Sequence, residues 1–222
     1  MTGSAHDHPH DPIGKDPIGK DPIGKDEEPG YFELMEAALQ ELFVEKGYFG
    51  AGEIRRQIEV LDSRTPALGA HVVARAWTDP DFKQRLLADG RAACEELGIS
   101  FYDDTRLIVL ENTEAVHNLV VCTLCSCYPR PVLGLPPDWY KLKPYRARAV
   151  SEPRAVLAEF GTVIPDDVEV RVSDSTAVVR YLVLPRRPEG TAGWSSEQLA
   201  GLVTRDAMIG VVAVELPDGA AR

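Results

Sequence analysis

The sequence predicts an α+β protein: an N-terminal helical arm followed by a layered α/β metal-binding domain. Three observations carry that reading. Apolar residues recur at helical spacing between Tyr31 and Leu97. Short alternating runs suited to strands are confined to the second half. A cluster of thiols, Cys122-Thr123-Leu124-Cys125-Ser126-Cys127, begins where one of those runs ends, a common place for chemistry. The expected organisation is a tail at 1–30, a helical arm at 31–100 and a metal-binding catalytic domain at 101–222.

The tail has a composition that opposes folding. Asp-Pro-Ile-Gly-Lys occurs three times in tandem, at 11–15, 16–20 and 21–25, with Pro and Gly in every copy. His6, His8 and His10 precede it in an alternating stretch that reads either as a loose metal-capturing segment or as a solvated one. From Tyr31 the pattern turns helical. Met35, Leu39, Leu42 and Phe43 share one face, and Gly47 ends the run. A second short helix carries Ile54, Ile58 and Leu61. A third has Thr78 or Asp79 as cap and Pro80 in its first turn, and it ends near Leu97 before Gly98. Cys94, alone inside it, reads as a small buried hydrophobe. So few helices cannot readily build a core with one another, and the region reads as an arm that packs on a partner.

Arg106–Leu110 and Leu119–Cys122 read as strands. Pro129, Pro131, Pro136 and Pro137 then hold the chain in extended or turn geometry and stiffen the thiol loop. Val168–Val172 and Val178–Leu184 alternate as two further strands, joined as a hairpin around Asp174-Ser175-Thr176. Ser195 and Gln198 form a capping box that opens a helix towards Met208.

At 222 residues the chain can build one sizeable core plus an arm. No apolar run approaches a membrane span and no signal pattern opens the chain, which predicts a soluble, cytoplasmic protein with no membrane partner. Four cysteines, three of them within six residues, do not make a disulfide framework. The formal net charge of −11 argues against nucleic acid as a partner. It suits a subunit whose counterpart contributes arginines, as it suits acidic soluble proteins in general.

One residue separates Cys125 from Cys127, and Cys122 lies three residues upstream. Such a loop can point all three sulfurs at one ion and press the amides of Ser126 and Cys127 against it. Structural zinc usually takes two Cys pairs far apart in sequence, so spacing disfavours zinc. Sulfur-plus-amide donors suit a trivalent transition metal. The spacing by itself also admits a structural metal turn or a non-catalytic thiol cluster.

The loop and its surroundings resemble the metal-binding alpha subunit of the nitrile hydratase family. The resemblance begins with Val121-Cys122-Thr123-Leu124-Cys125-Ser126-Cys127 and runs on through Leu133-Gly134-Leu135-Pro136-Pro137-Asp138-Trp139-Tyr140-Lys141. It includes Tyr145-Arg146-Ala147-Arg148, Glu152-Pro153-Arg154, Arg180-Tyr181, Arg187-Pro188-Glu189-Gly190-Thr191, Gly193-Trp194-Ser195 and Arg205-Asp206. Upstream, Val72-Val73-Ala74-Arg75-Ala76-Trp77 and Asp79-Pro80 also match, so about 31 to 215 is covered. The resemblance implies that Cys122, Cys125 and Cys127 bind through sulfur, and Ser126 and Cys127 through amide nitrogen, leaving one position open. It implies a sulfinic acid at Cys125 and a sulfenic acid at Cys127, both rungs of the thiol oxidation ladder. Thr123 and Tyr128 are similar to the cobalt-type members, where iron-type members carry Ser and Thr, so low-spin Co(III) is expected and Fe(III) is the alternative. The oxidised sulfurs would be held by arginines from a partner: a beta-type subunit, or separate beta and gamma chains.

The implied activity is hydration of a nitrile to the amide, with Cys125, Cys127 and Arg130 as its catalytic residues. The ion polarises the substrate, and the Cys127 sulfenate acts as nucleophile or base. Arg130 departs from the pattern, because most nitrile hydratases of this type carry Trp there. Arg is similar to the homologous subunit of thiocyanate hydrolase, which makes that reaction the first alternative. Three-subunit nitrile hydratases of the toyocamycin type satisfy both signals and imply a polar or nucleoside nitrile as substrate. Arg130 also reads as a surface residue paired with a partner carboxylate. A second alternative is a non-catalytic cobalt delivery subunit. His117 reads as a histidine of the core or behind the ligands, since the claw already fills five positions and a histidine would sit awkwardly as a further ligand. Asp138 and Tyr140 are expected to fix the loop rather than move protons.

Overall fold

A computed structural model describes residues 30–102 and 104–217. The repeats and His6, His8 and His10 lie outside the described residues. The chain divides into two compact units, one ending at Leu61 and one beginning at Asp62.

In the first unit, α1 (Tyr31–Glu45) opens with Glu33 accepting the Gly30 amide at 2.8 Å. It stops before Gly47, whose φ of 72° L side chains avoid. Met35, Leu39, Leu42 and Phe43 share a face as expected, and each is still 40–46% exposed. Helix α2 (Glu53–Asp62) carries Ile58 and Leu61, also exposed. Neither helix buries a residue.

The second unit starts with a helix that periodicity did not announce. Helix α3 (Pro66–Thr78) begins on Pro66 and buries Ala70, Val72, Val73, Ala74 and Ala76. Its polar face is narrow, with His71, Arg75 and Thr78 the only polar residues exposed in a run of small and branched side chains. The single helix expected from Pro80 to Leu97 is two, α4 (Pro80–Ala88) and α5 (Gly90–Glu96). Asp89 is extended at φ −145°, ends α4, and caps α5 by accepting the Ala92 amide at 3.0 Å. Asp79 caps α4 as expected, accepting from Phe82 at 3.0 Å. Cys94 is fully buried, and burial pushes its thiol up to about 12. Helices α3–α5 belong to the second unit, which begins at Asp62.

Among the described residues four strands form two parallel pairs. Strand β1 (Arg106–Glu111) pairs with β4 (Val179–Leu184), and β2 (Val116–Val121) with β3 (Glu169–Asp174). The expected hairpin between the third and fourth strands does not form. Residues 175–178 instead carry the chain from one pair to the other, as 112–115 do between β1 and β2. Alternation marks a strand but not its neighbour, and here the neighbours are distant in sequence. Strand β2 is almost wholly buried, as parallel strands covered on both faces are.

Short helices complete the layers: α6 (Arg130–Leu133), α7 (Asp138–Lys141), α8 (Lys143–Ser151), α9 (Pro153–Glu159), α10 (Ser196–Ala200) and α11 (Arg205–Ile209). Residues 130–133 thus make a helical turn where prolines predicted only extended or turn backbone; Pro131 sits in its first turn, where no amide donor is needed. The Ser195/Gln198 capping box forms, but its helix stops at Ala200. Thr204 restarts the chain as α11 by accepting the Ala207 amide at 3.2 Å. Helices α4 and α5 pack on β1, α11 on β4 and β2, α8 on β2, and α9 on β3. Among the described residues no helix is long and apolar enough to cross a membrane.

His117, on β2, ties these layers together. Its Nε2 lies 2.7 Å from the Gly210 carbonyl, which can only accept, so Nε2 carries the proton. Nδ1 then accepts from Asn112 Nδ2 at 3.4 Å, and Asn112 Oδ1 takes the Asn118 amide at 2.7 Å. Gly210 is at φ 92°, and a Cβ there would lie 2.0 Å from the Asn118 carbonyl. The histidine is therefore a core residue. Burial lowers its pKa, opposed by the Gly210 carbonyl. The unfolded chain binds the proton more readily, so stability is lost as pH falls below about 6.5, the ordinary value, towards the folded one. Urea denaturation across pH 7.5 to 5 should show that loss. His117→Gln, which keeps a donor without titrating, should flatten the curve in that window.

Candidate metal centre

The thiol loop leaves the end of β2, and the β2–β3 register sets what meets it. Val121 stands opposite Asp174. The Asp174 carboxylate therefore reaches the second residue past the strand, accepting the Thr123 amide at 2.9 Å and its hydroxyl at 2.5 Å. The Ser175 amide donates to the Val121 carbonyl at 2.7 Å and extends the pairing up to the loop. Helices α7 and α8 hold the rest. Tyr145 Oη donates to the Val120 carbonyl at 2.6 Å, Tyr140 Oη to the Cys127 carbonyl at 2.9 Å, and Arg146 Nη1 to the Cys125 carbonyl at 3.2 Å. Beneath them, Trp139 meets Tyr145 and Phe160 edge-on at 4.8 and 4.7 Å, and Tyr128 meets Tyr140 at 5.3 Å.

Held this way, the sulfurs converge. Cys122 and Cys125 Sγ are 3.6 Å apart, Cys125 and Cys127 3.3 Å, and all three lie within 4.8 Å of one another. Among the described residues no other group of three His, Cys, Asp or Glu side chains comes together in this way. Cys122 is buried, Cys127 half-buried and Cys125 exposed. The Cys125 thiol is held below its ordinary range, first by the Cys127 thiol, then by Cys122, with the Ser126 and Cys127 amides adding to the effect. Cys127 is pushed up to about 12, chiefly by burial and then by its bond to Cys125; the Arg180 charge pulls the other way. Of these two, Cys125 is the one whose surroundings favour the thiolate. Three soft donors with two amides turned to the same sulfur are a donor set that a trivalent transition ion fits.

Arg130 is exposed at the start of α6 and lines a cavity of about 210 Å³ with Cys125, Ser126, Cys127 and Arg180. The structure thus brings Arg130 to the thiols. Tyr140 braces the loop as expected, but Asp138 does not: it faces solvent and pairs with Lys141 of its own turn at 2.8 Å. Sequence reasoning gave no role to Asp174, Arg146 or Arg180. Asp174 was a turn residue, and only strand pairing brings it across 51 positions to Thr123. The two arginines stood within matched segments, a signal of place without function.

The family model described as nitrile hydratase, alpha chain, matches residues 30–212. The chain belongs to this family. It is 54% identical over 184 residues to the low-molecular-weight cobalt-containing nitrile hydratase subunit alpha of Rhodococcus rhodochrous, covering 82% of this chain and 89% of that one. A structure of recombinant thiocyanate hydrolase with partially modified cobalt centres matches with a TM-score of 0.79 at 43% identity, over 85% of this chain and 92% of that one. A double mutant of the Fe-type nitrile hydratase from Comamonas testosteroni Ni1 matches with a TM-score of 0.77 at 45% identity, over 84% and 91%. These likenesses agree with the expected α+β metal-binding fold of the family.

If Asp174 anchors the loop, Asp174→Ala frees both groups of Thr123. Hydrogen exchange at the Thr123 amide should speed up by about 10-fold or more, the equivalent of losing a bond to a charged acceptor, while amides in the middle of β1 and β4 stay protected. Unchanged exchange at Thr123 would remove Asp174 from this role.

Proposed function

We propose that this chain is the metal-bearing alpha subunit of a cobalt nitrile hydratase, which hydrates a nitrile to the amide. The observation that carries the reading is the convergence of Cys122, Cys125 and Cys127 within 4.8 Å, in a chain 54% identical to a cobalt-containing nitrile hydratase alpha subunit. The three sulfurs and the amide nitrogens of Ser126 and Cys127 would hold the ion. Low-spin Co(III) is favoured, with Fe(III) as the alternative given the Fe-type neighbour. When bound, the ion supplies a Lewis acid that polarises the nitrile.

Exposure supports the oxidation pattern. Oxidation follows thiolate character and access. Cys125, exposed and with surroundings that favour its thiolate, is the residue to go furthest, to the sulfinic acid. Half-buried Cys127 stops at the sulfenic acid, whose oxygen serves as nucleophile or base, and buried Cys122 stays a thiolate. Two anionic sulfurs are costly to leave unpaired, so a beta-type subunit, or separate beta and gamma chains, would bring arginines to them. The exposed apolar face of α1 supports such a partner. Four free thiols support a reducing, cytoplasmic setting.

Arg130 and Arg180 beside the thiols favour a polar substrate, such as a nucleoside nitrile of the toyocamycin kind. They also favour the second reading, thiocyanate hydrolase, whose structure resembles this one.

The test is a product assay on the complex co-expressed with its partner chains in cobalt medium, offered a panel of nitriles and, separately, thiocyanate. Amide formation is the expected outcome, and Cys125→Ala should lose both cobalt and turnover; a fully active variant would overturn the assignment. Carbonyl sulfide with ammonia would move the chain to the second reading. In that case Arg130→Trp should cut thiocyanate turnover about 10-fold or more, the scale of a lost charge-assisted contact. Cobalt without turnover in any assembly would point to a delivery subunit.

A further inference from the structure

We propose that Arg146 is a positioning residue of the metal claw, holding the Cys125–Ser126 peptide and stabilising the charge that this peptide carries when its nitrogen binds the ion. The proposal rests on the metal reading above and adds a residue to it. Helix α8 places the guanidinium behind the loop, where Nη1 donates to the Cys125 carbonyl at 3.2 Å and to the Thr123 carbonyl at 3.4 Å. The Cys125 oxygen belongs to the same peptide unit as the Ser126 nitrogen. That unit is planar and resonant. Were that nitrogen to serve as a ligand, its proton would leave to solvent and the charge left on it would be shared with that oxygen. A cation bonded to the oxygen therefore acts on the nitrogen without touching it. Gripping a second carbonyl two residues upstream also fixes the curvature of the loop between Cys122 and Cys125.

The rest of the Arg146 environment agrees. Among the described residues both hydrogen bonds of its guanidinium end on loop carbonyls, its buried Nε has no partner, and it makes no ion pair. Arg148, two residues along the same helix, is engaged otherwise, pairing with Glu152 at 2.9 Å and Glu159 at 2.5 Å. An arginine with no carboxylate partner, half-buried and bonded to loop carbonyls, turns its positive charge on the loop. A loop that turns more negative on loading its ion supplies what is missing.

The experiment uses the complex expressed in cobalt medium. Cobalt per chain is measured by elemental analysis before and after a chelator challenge, with the sulfur-to-metal charge-transfer absorption as a second readout. Arg146→Met should retain about 10- to 100-fold less cobalt after challenge, the range for groups that orient metal ligands, with a shifted absorption. Arg146→Lys should recover part of the retention, and Arg148→Met should behave as wild type. Full retention and an unshifted absorption in Arg146→Met would overturn the proposal, as would an equal loss in Arg148→Met, which would mark a weakened helix. Should Arg146→Met not accumulate, Arg146→Lys decides: faster cobalt loss than wild type supports the role, and an identical rate overturns it. A wild-type complex with no more cobalt than Cys125→Ala would overturn the metal reading itself, and this proposal with it.

Discussion

The carboxylate of Asp174 holds both the amide and the hydroxyl of Thr123, and it can do so only because β2 and β3 run parallel with Val121 opposite Asp174. A slip of one residue would turn every β2 side chain to the opposite face and move the carboxylate off the loop. Burial resists that slip, since Leu119, Val120 and Val121 are each at most 2% exposed. The register in turn depends on the two crossings between strand pairs. His117 and Asn112 fasten one, and Gly210 lets α11 come against β2 closely enough to close the network. The chemistry-bearing loop is thus positioned by contacts made well away from the sulfurs.

Ordering an irregular loop costs roughly 1–2 kcal/mol per residue. A neutral hydrogen bond contributes about 1 kcal/mol and one to a charged group about twice that. The bonds from Asp174, Arg146 and Tyr140 therefore offset only part of the ordering of residues 122–127. Burial supplies the remainder. Tyr140 and Tyr145 are at most 1% exposed, and each spends its hydroxyl on a backbone carbonyl while its ring packs into the aromatic cluster with Trp139. Their apolar burial is worth a few kcal/mol each by area. The loop is held in shape by a buried scaffold before any ion arrives.

What could be read from the sequence divides along this line. Local rules worked where the signal was local: Gly47 ending α1, Asp79 capping α4, the Ser195 capping box, and the sulfur spacing that brings three thiols together. They failed where a partner lay far away. The hairpin around Asp174-Ser175-Thr176 was inferred from adjacency, but β3 and β4 each find a strand more than fifty residues upstream. Helix α3 was missed because its polar stripe is narrow, only His71, Arg75 and Thr78 in a run of small and branched side chains, and α4 and α5 were merged because Asp89 both ends one helix and starts the next. The residues that brace the claw were invisible for the same reason as the pairing, since neither Asp174 nor Arg146 lies near it in the chain.

The graded exposure of the three thiols is the feature that links this scaffold to the proposed chemistry. A symmetric site would expose all three to the same oxidant. Here the strand end buries Cys122, Tyr140 draws the Cys127 carbonyl inward, and Cys125 is left at the tip beside the exposed Leu124. The same fold that sorts the sulfurs by access leaves Cys125 on the surface, where among the described residues Arg130 and Arg180 are the cations that line the cavity. Arg180 already donates to the Thr176 and Val179 carbonyls, so its geometry is committed elsewhere. On the proposed reading, a partner's arginines would meet the anionic sulfurs that the two arginines lining this cavity leave incompletely paired. Completion from a partner would let the scaffold stay rigid and would place substrate entry at a seam between chains, where water would be excluded only once both were in place.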